Sequence, residues 1–478
     1  MKHVFVVLSL LQAPMKKLII AVLCICFAGA LFSQDITGSW GGKLQIQNTR
    51  LGIVFHIVKN DTVYETKMDS PDQGAFGLAT SKTVFSNNRL EISAGGMGIS
   101  YTGTFQGDSI EGIFRQGGLQ LPLVLKPTQK TDLSRPQEPK PPFPYLTEDI
   151  TFRNGVNGNR LSGTLTVPDE TGIFPAVILI AGSGPNDRDE AILGHKPFWV
   201  IADYLTRNGF AVLRYDKRGI GRSGGDYVNA TTEDFASDAE AALNFLQTQT
   251  RIDKKRIALI GHSEGGIIAP MVAANDTTVG AIVLMAGMGV EGSRLLLQQN
   301  ADLLKEGQIR QDTIDQVLAV LETIYVSLKN WKETEEEQKE LYDKASKLWE
   351  AMPALSRGAN SREQFVNGNT GAMLLPWYRF FLSLNPAGYL EKVKCPVLAV
   401  NGEKDIQVDS RQNLEMIRKS LEKGGNKNYT IKPYPGLNHL FQECETGSVG
   451  EYGKIEQTIS PRFLSDMTDW LQHVFAGK

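Results

Sequence analysis

Residues 256–271 constrain this chain more tightly than any other stretch. Arg256-Ile257-Ala258-Leu259-Ile260 is an apolar run of strand length, and Gly266-Ile267-Ile268-Ala269-Pro270-Met271 reads as a small-residue helical stretch. Gly261-His262-Ser263-Glu264-Gly265 stands between them. A serine at the tip of so sharp a strand-to-helix turn is pushed into a strained backbone conformation, which glycines on either side permit because neighbouring backbone can pass close to them. The pattern Gly-x-Ser-x-Gly is short and built of common residues. The strand before it and the helix after it supply the context that makes it a nucleophile elbow.

A serine hydroxyl is a poor nucleophile at neutral pH and needs an adjacent base, itself oriented by a carboxylate. Of six histidines, His3 lies in the leader, His56 in an N-terminal β-rich region, His195 in a loop after an early strand, His262 within the turn and His473 in the terminal helix. His439, in Gly436-Leu437-Asn438-His439 beyond a strand and before the last helix, is left as the candidate base. Asn401-Gly402-Glu403-Lys404-Asp405 follows another strand and offers Asp405 as the orienting carboxylate, with Glu403 and Asp409 as alternatives. The oxyanion needs two backbone donors. One is the Glu264 N–H, next to the serine, and the other comes from Ala181-Gly182-Ser183-Gly184-Pro185, with Ser183 preferred and Gly184 as alternative. No His, Cys, Asp or Glu cluster has metal-ligand spacing, so no metal or organic cofactor is expected.

Around this constellation, apolar runs at 176–180, 211–215, 281–286, 397–400 and 429–433 alternate with helical patterns at 198–208, 232–248, 410–423 and 461–475, after a hairpin at 149–152 and 161–167. Continuous Val/Ile/Leu runs between helices predict a mostly parallel, doubly wound sheet covered on both faces. Residues 287–393 interrupt the rhythm and read as helical over 293–305, 312–328, 333–350 and 364–384. An insertion of that size at the C-terminal edge of a sheet predicts a cap, spanning about 290–390, over the site. Trp377, Tyr378 and Phe381 are its candidate substrate contacts. The run Lys332-Glu333-Thr334-Glu335-Glu336-Glu337 reads as a solvated helix face.

Upstream, residues 35–128 carry period-two segments at 38–47, 52–59, 63–68, 89–93, 98–106, 109–115 and 119–125, which predict a small antiparallel β domain, either a closed meander or a sandwich. His56, on one of those strands, has no companion at ligand spacing and reads as structural. Residues 129–146 are Pro-rich and predict an extended linker, which leaves 147–478 as the catalytic domain. At the N-terminus, Lys16-Lys17, an apolar run over 18–28 and small residues at Ala28, Gly29, Ala30 and Ser33 predict a signal peptide over 1–33, with Met15 as the true start. Cleavage is expected between Ser33 and Gln34, or after Ala30. Export to the periplasm or the exterior follows. The apolar run is too short for a membrane span, so no stable membrane insertion is expected after cleavage. Loss of Lys2, Lys16 and Lys17 takes the formal charge from −3 to −6, and the absence of any basic stripe excludes nucleic acid as a partner. Of four cysteines, cleavage leaves Cys395 and Cys444. They are expected at opposite edges of the sheet, too far apart for a disulfide.

Taken together, residues 147–478 resemble an α/β-hydrolase of the exported bacterial esterase and serine-aminopeptidase-like branch. The resemblance rests on the Gly-His-Ser-Glu-Gly elbow, on the chain order Ser263, Asp405, His439, and on Tyr215-Asp216-Lys217-Arg218-Gly219-Ile220-Gly221-Arg222-Ser223, which matches the Asp-x-Arg-Gly-x-Gly-x-Ser loop of those enzymes. Ala181-Gly182 stands where many relatives carry His-Gly. The resemblance implies an α/β-hydrolase fold with a helical cap, preceded by the small β domain, and a serine hydrolase acting on carboxylic esters of short or medium acyl length. Its rivals are a peptidase cutting small N-terminal units, and a glycan- or envelope-binding protein with secondary hydrolase activity. The expected partner is a small-molecule ester or a short peptide.

Overall fold

The computed structural model describes residues 35–477 apart from 47–48, 72–74, 95–97, 117–118, 130–134, 354–356 and 358–360. The signal-peptide reading, with Cys24 and Cys26, lies outside the described residues. The chain forms two compact units.

The first is a single antiparallel sheet of nine strands, β1 (Gly38–Ile46), β2 (Thr49–Asn60), β3 (Val63–Ser70), β4 (Ala75–Ala79), β5 (Lys82–Ser86), β6 (Arg89–Ala94), β7 (Ile99–Phe105), β8 (Ile110–Gln116) and β9 (Leu119–Thr128), in the order β4-β3-β2-β1-β9-β8-β7-β6-β5. Seven strands were expected; β4 and β5 are the additions. The Thr83 hydroxyl donates to Thr66 Oγ1 at 2.8 Å, and Thr80 Oγ1 to the Thr66 carbonyl at 2.8 Å, so β5 returns beside β3 and the sheet curls around its own core. Alternating inward residues fill that core, among them Trp40, Phe55, Tyr101 and Leu123. His56 faces Ser39 across the β1–β2 register, with Nδ1 2.7 Å from Ser39 Oγ, a cross-strand polar pair.

The second unit is built on an eight-stranded sheet. Its strands are β10 (Leu146–Arg153), β11 (Arg160–Val167), β12 (Phe174–Ile180), β13 (Ala211–Tyr215), β14 (Ile252–His262), β15 (Ala281–Met285), β16 (Val397–Gly402) and β17 (Tyr429–Tyr434), in the order β10-β11-β13-β12-β14-β15-β16-β17. β10 and β11 form the leading hairpin and β11 meets β13 antiparallel, while every pairing from β13 to β17 is parallel. The helices are α1 (Pro197–Arg207), α2 (Thr232–Thr248), α3 (Gly265–Ala273), α4 (Gly292–Glu306), α5 (Gln311–Lys329), α6 (Glu335–Ala351), α7 (Arg362–Met373), α8 (Pro376–Ser383), α9 (Ala387–Leu390), α10 (Ser410–Lys423), α11 (Val449–Tyr452) and α12 (Pro461–Ala476). Successive strand residues point to opposite faces, so the sheet makes two cores. Ile178, Leu213, Leu259 and Ile282 pack against α2, α3 and α10. Val177, Val212, Ile260 and Val283 pack against α1 and α12.

Between β15 and β16 the chain runs through α4 to α9, which hold a separate core of Ile314, Val317, Ile324, Leu341, Ala345, Val366 and Leu382. The single helix expected over 364–384 is two, because Pro376 forces Leu375 out of helical geometry (φ −57°, ψ 141°) and starts α8 afresh. The acidic run before α6 is a helix start: Thr334 Oγ1 accepts from the Glu337 N–H and Glu337 returns the favour, a capping box. Cys395 and Cys444 stand as thiols, and no disulfide joins them.

Part of the Pro-rich stretch is fastened to this second unit. Arg135 donates to the carbonyls of Gly453 (2.8 Å) and Ile455 (2.7 Å), while Gln137 donates to the Ile459 carbonyl and accepts the Thr458 N–H. Beneath this strap lies His195, buried, with Nε2 2.9 Å from the Tyr452 carbonyl and 3.0 Å from the Gln442 amide nitrogen, and Nδ1 2.9 Å from the Thr458 hydroxyl. Burial, helped by the Arg135 charge, holds its pKa down to about 4. Above pH 6.5 both folded and unfolded chains keep it neutral; between 6.5 and about 4 only the unfolded chain takes the proton, so stability falls as pH falls. The loss is about 2 kcal/mol after allowance for solvent screening. Guanidinium unfolding at pH 7 and pH 4.5 is expected to show a smaller acid loss in His195→Asn than in the parent, and equal losses would contradict this reading.

Candidate active site

The turn after β14 has the geometry that its glycines foretold. Ser263 sits in the left-handed region at φ +53°, with its N–H on the Met285 carbonyl at 2.8 Å. A Cβ on Gly261 would lie 1.8 Å from the Gly265 carbonyl oxygen, and one on Gly265 would lie 2.0 Å from that of Ile180. Both obstacles are backbone and cannot swing away. Gly261→Ala is therefore expected to lower the unfolding free energy by more than about 3 kcal/mol in guanidinium titration; a change within 0.5 kcal/mol, about the size of a neutral surface substitution, would contradict this reading.

Asp405 and His439 reach each other from the loops after β16 and β17. Asp405 Oδ2 lies 2.7 Å from His439 Nδ1, and both side chains are buried. Asp405 Oδ1 accepts the N–H groups of Gln407 (2.8 Å) and Val408 (2.9 Å), which lock the carboxylate plane. Asp409 is instead the N-cap of α10, accepting the Gln412 N–H at 2.6 Å, and Glu403 is exposed. Ser263 and His439 line one cavity of about 200 Å³. Their side chains do not hydrogen-bond to each other here; such contacts commonly tighten only when substrate enters.

The cavity also takes in Ser183 and Glu264, whereas Gly184 is not part of its lining. The loop carrying Ser183 is clamped from both sides. The Gly182 N–H goes to Glu190 Oε1 at 2.6 Å, and its carbonyl accepts from Lys217 Nζ (2.6 Å) and Asn186 Nδ2 (2.8 Å). The Gly182 N–H is thus occupied. Glu264 is equally fixed: its carboxylate accepts from Lys217 Nζ (3.2 Å), the Thr232 hydroxyl (2.8 Å) and Trp377 Nε1 (2.7 Å). Lys217 thereby ties the elbow to the oxyanion loop. The remainder of its Asp-x-Arg-Gly loop is structural, with Asp216 accepting from Arg188 and the Arg222 N–H, and Arg218 paired with Asp234 and Asp238.

Leu295 and Leu296 of α4 and Trp377 and Phe381 of α8 form an apolar wall of the cavity, with Met288, Val408 and Leu440. Trp377 and Phe381, one turn apart, stack with ring centroids 4.9 Å apart. Tyr378 is a correction. One residue on, it is turned about 100° around the helix and packs into the core of the insertion, its hydroxyl 3.3 Å from that of Tyr325.

Two site residues went unread in the sequence, Glu190 and His262. His262 Nδ1 lies 3.0 Å from Glu190 Oε1 and Nε2 lies 3.0 Å from the His439 carbonyl. Burial, the largest influence, opposes its charge, but the charge and hydrogen bond of Glu190, the His439 carbonyl and the Asp405 charge together raise its pKa. Glu190 sits in an irregular loop with no periodic signal; a carboxylate a few residues past the Gly-rich turn was the available clue. Among the described residues no group of three or more His, Cys, Asp or Glu is placed to hold a metal ion.

A family model described as the alpha/beta hydrolase fold matches residues 175–441, more than half of the chain. The chain belongs to the α/β-hydrolase family. This hydrolase is 28% identical to Esterase EstD of Thermotoga maritima over 355 residues, 73% of each chain. It is 26% identical over 174 residues to the uncharacterized protein YfhR of Escherichia coli O157:H7, a match covering 33% of the hydrolase and 57% of YfhR. Among solved structures, the alpha/beta hydrolase GrgF from Penicillium sp. sh18 shares 20% identity at a TM-score of 0.43, over 69% of the hydrolase and 99% of GrgF.

Proposed function

We propose that this chain is an exported carboxylesterase that cleaves short or medium acyl esters through an acyl-enzyme on Ser263. The observation that carries the reading is the meeting, around one small cavity, of a serine in a left-handed turn, the His439 ring paired with buried Asp405, and the residues Ser183 and Glu264. Ser263 Oγ attacks the ester carbonyl carbon while His439 Nε2 takes its proton. The Ser183 and Glu264 N–H groups hold the oxyanion. His439 then gives its proton to the departing alkoxide, and the acyl group stays on Ser263. A water molecule, deprotonated by His439, attacks the acyl carbonyl carbon; the bond to Ser263 Oγ breaks, His439 returns the proton to Oγ, and the carboxylic acid leaves. Asp405 keeps the Nδ1 proton in place and stabilises the imidazolium throughout. Similarity to Esterase EstD supports the ester as substrate, and a cavity of about 200 Å³ with an apolar wall supports a short acyl chain. Helices α4 and α8, which supply that wall, act as the cap. The lysine pair and apolar run of residues 16–28 support export; among the described residues no helix is long and apolar enough to cross a membrane.

The test is release of p-nitrophenol from acetyl, butyryl and octanoyl esters by residues 34–478, beside a panel of aminoacyl anilides. Turnover is expected to favour acetyl or butyryl over octanoyl. Anilide cleavage without ester preference would replace the esterase with a peptidase, and silence on both would overturn the reading.

A further inference from the structure

The pair Glu190–His262 lines the same cavity as Ser263 and His439 and is joined to all three working parts of the site. His262 immediately precedes the nucleophile, its Nε2 rests on the carbonyl of the candidate base His439, and Glu190 Oε1 accepts both His262 Nδ1 and the N–H of Gly182 in the oxyanion loop. We propose that Glu190 and His262 form a second carboxylate–imidazolium pair that holds elbow, base loop and oxyanion loop in register. The proposal rests on the esterase reading above, and both residues are positioning residues.

A neutral imidazole carries one N–H, so its second nitrogen must accept. His195 can obey that rule, because groups able to donate, the Thr458 hydroxyl at Nδ1 and the Gln442 amide at Nε2, stand beside its ring. His262 faces a Glu190 carboxyl oxygen on one side and the His439 carbonyl oxygen on the other. With Glu190 ionised neither can donate, so both contacts are hydrogen bonds only if both ring nitrogens carry protons, which makes the ring a cation. Within a site this buried a cation needs a counter-charge, and Glu190, 5% exposed, supplies it. The direction of the His262 shift agrees: burial works against the charge, and Glu190, the His439 carbonyl and Asp405 together overcome it. The groups facing the ring are Glu190 from the loop after β12, the His439 carbonyl and ring (centroids 4.8 Å apart) from the loop after β17, and the Asp405 carboxylate from the loop after β16. Glu190 holds its place at φ +50°, a left-handed conformation that a non-glycine residue keeps only when its surroundings fix it.

Such a pair serves placement rather than proton transfer. His262 has both nitrogens engaged and no hydrogen bond to Asp405, so it cannot act as the base. Its Nε2–H fixes the backbone from which the His439 ring projects, and loss of that tether lets the base drift from Ser263. A misplacement near 1 Å costs about 100-fold in rate.

Glu190→Gln keeps the shape and the acceptor for the Gly182 N–H while removing the charge. It is expected to lower kcat about 100-fold with KM within about threefold, and to move the alkaline limb of the kcat profile to lower pH, because His262 then loses its second proton sooner. The structural half is read without turnover. In protein labelled with ¹⁵N-histidine, His262, assigned by its loss in His262→Gln, is expected to show two protonated-type ring nitrogens at pH 7 in the parent and a neutral pattern in Glu190→Gln. A neutral His262 in the parent would overturn the proposal, even if Glu190→Gln failed to fold. An unchanged kcat and pH profile in a folded Glu190→Gln would overturn it equally. A parent with the doubly protonated signature and no ester turnover would sink the esterase reading and leave the ion pair standing, so the two failures are distinguishable.

Discussion

Ser263→Ala is expected to lower kcat for p-nitrophenyl butyrate by a factor of about 10⁴ to 10⁶, with the fold intact. The factor is large because the proposed route runs through a covalent bond to Ser263 Oγ, and the oxyanion donors that remain accelerate direct attack by water only weakly. A companion variant separates chemistry from conformation. Ser263 lies at φ +53°, a region that costs a non-glycine residue roughly 1–2 kcal/mol and glycine nothing. Ser263→Gly should therefore be as inactive as Ser263→Ala but more stable than the parent in thermal unfolding. Stability bought at the expense of rate marks a strained functional residue. Retained turnover in either variant would exclude Ser263 as nucleophile.

Asp405→Asn is expected to lower kcat about 10⁴-fold, a magnitude that the handling of one proton explains. Asp405 Oδ1 accepts two backbone N–H groups, from Gln407 and Val408, and Oδ2 faces His439 Nδ1. An asparagine must turn its oxygen toward those two donors and its NH₂ toward the imidazole. The ring nitrogen at that contact then has to accept, so the proton moves to Nε2 and the nitrogen facing Ser263 can no longer take one. Asp405→Asn should fold normally and lose rate, with KM little changed. Loss confined to KM would contradict this account.

The sheet and the site differ in how far they can be read from the chain. Strand runs such as Ala176-Val177-Ile178-Leu179-Ile180 are apolar on both faces because helices cover both, and that alone separates them from the alternating strands of the first unit. β4 and β5 are hard to read from the chain because Ala75–Ala79 and Lys82–Ser86 are only five residues each, and Gly77 breaks the first of them. Ser263, Asp405 and His439 are visible because each follows a strand, in the order the fold imposes. Glu190 is not visible, since its partners lie 72 residues on at His262 and 8 residues back at Gly182, and no pattern in sequence links a loop carboxylate to either. Tyr378 shows the converse limit: Trp377, Tyr378 and Phe381 are equally aromatic, and only the helix phase turns the outer two to the cavity and the middle one to Tyr325.

The central claim is that Ser263 carries the acyl group, and trapping it tests the claim most directly. The protein is inactivated with a fluorophosphonate, digested, and mapped by mass spectrometry. One adduct per chain on Ser263, absent from Ser263→Ala and slowed in Asp405→Asn, is the result expected. Labelling of another residue, or equal labelling of the Ser263→Ala variant, would contradict it.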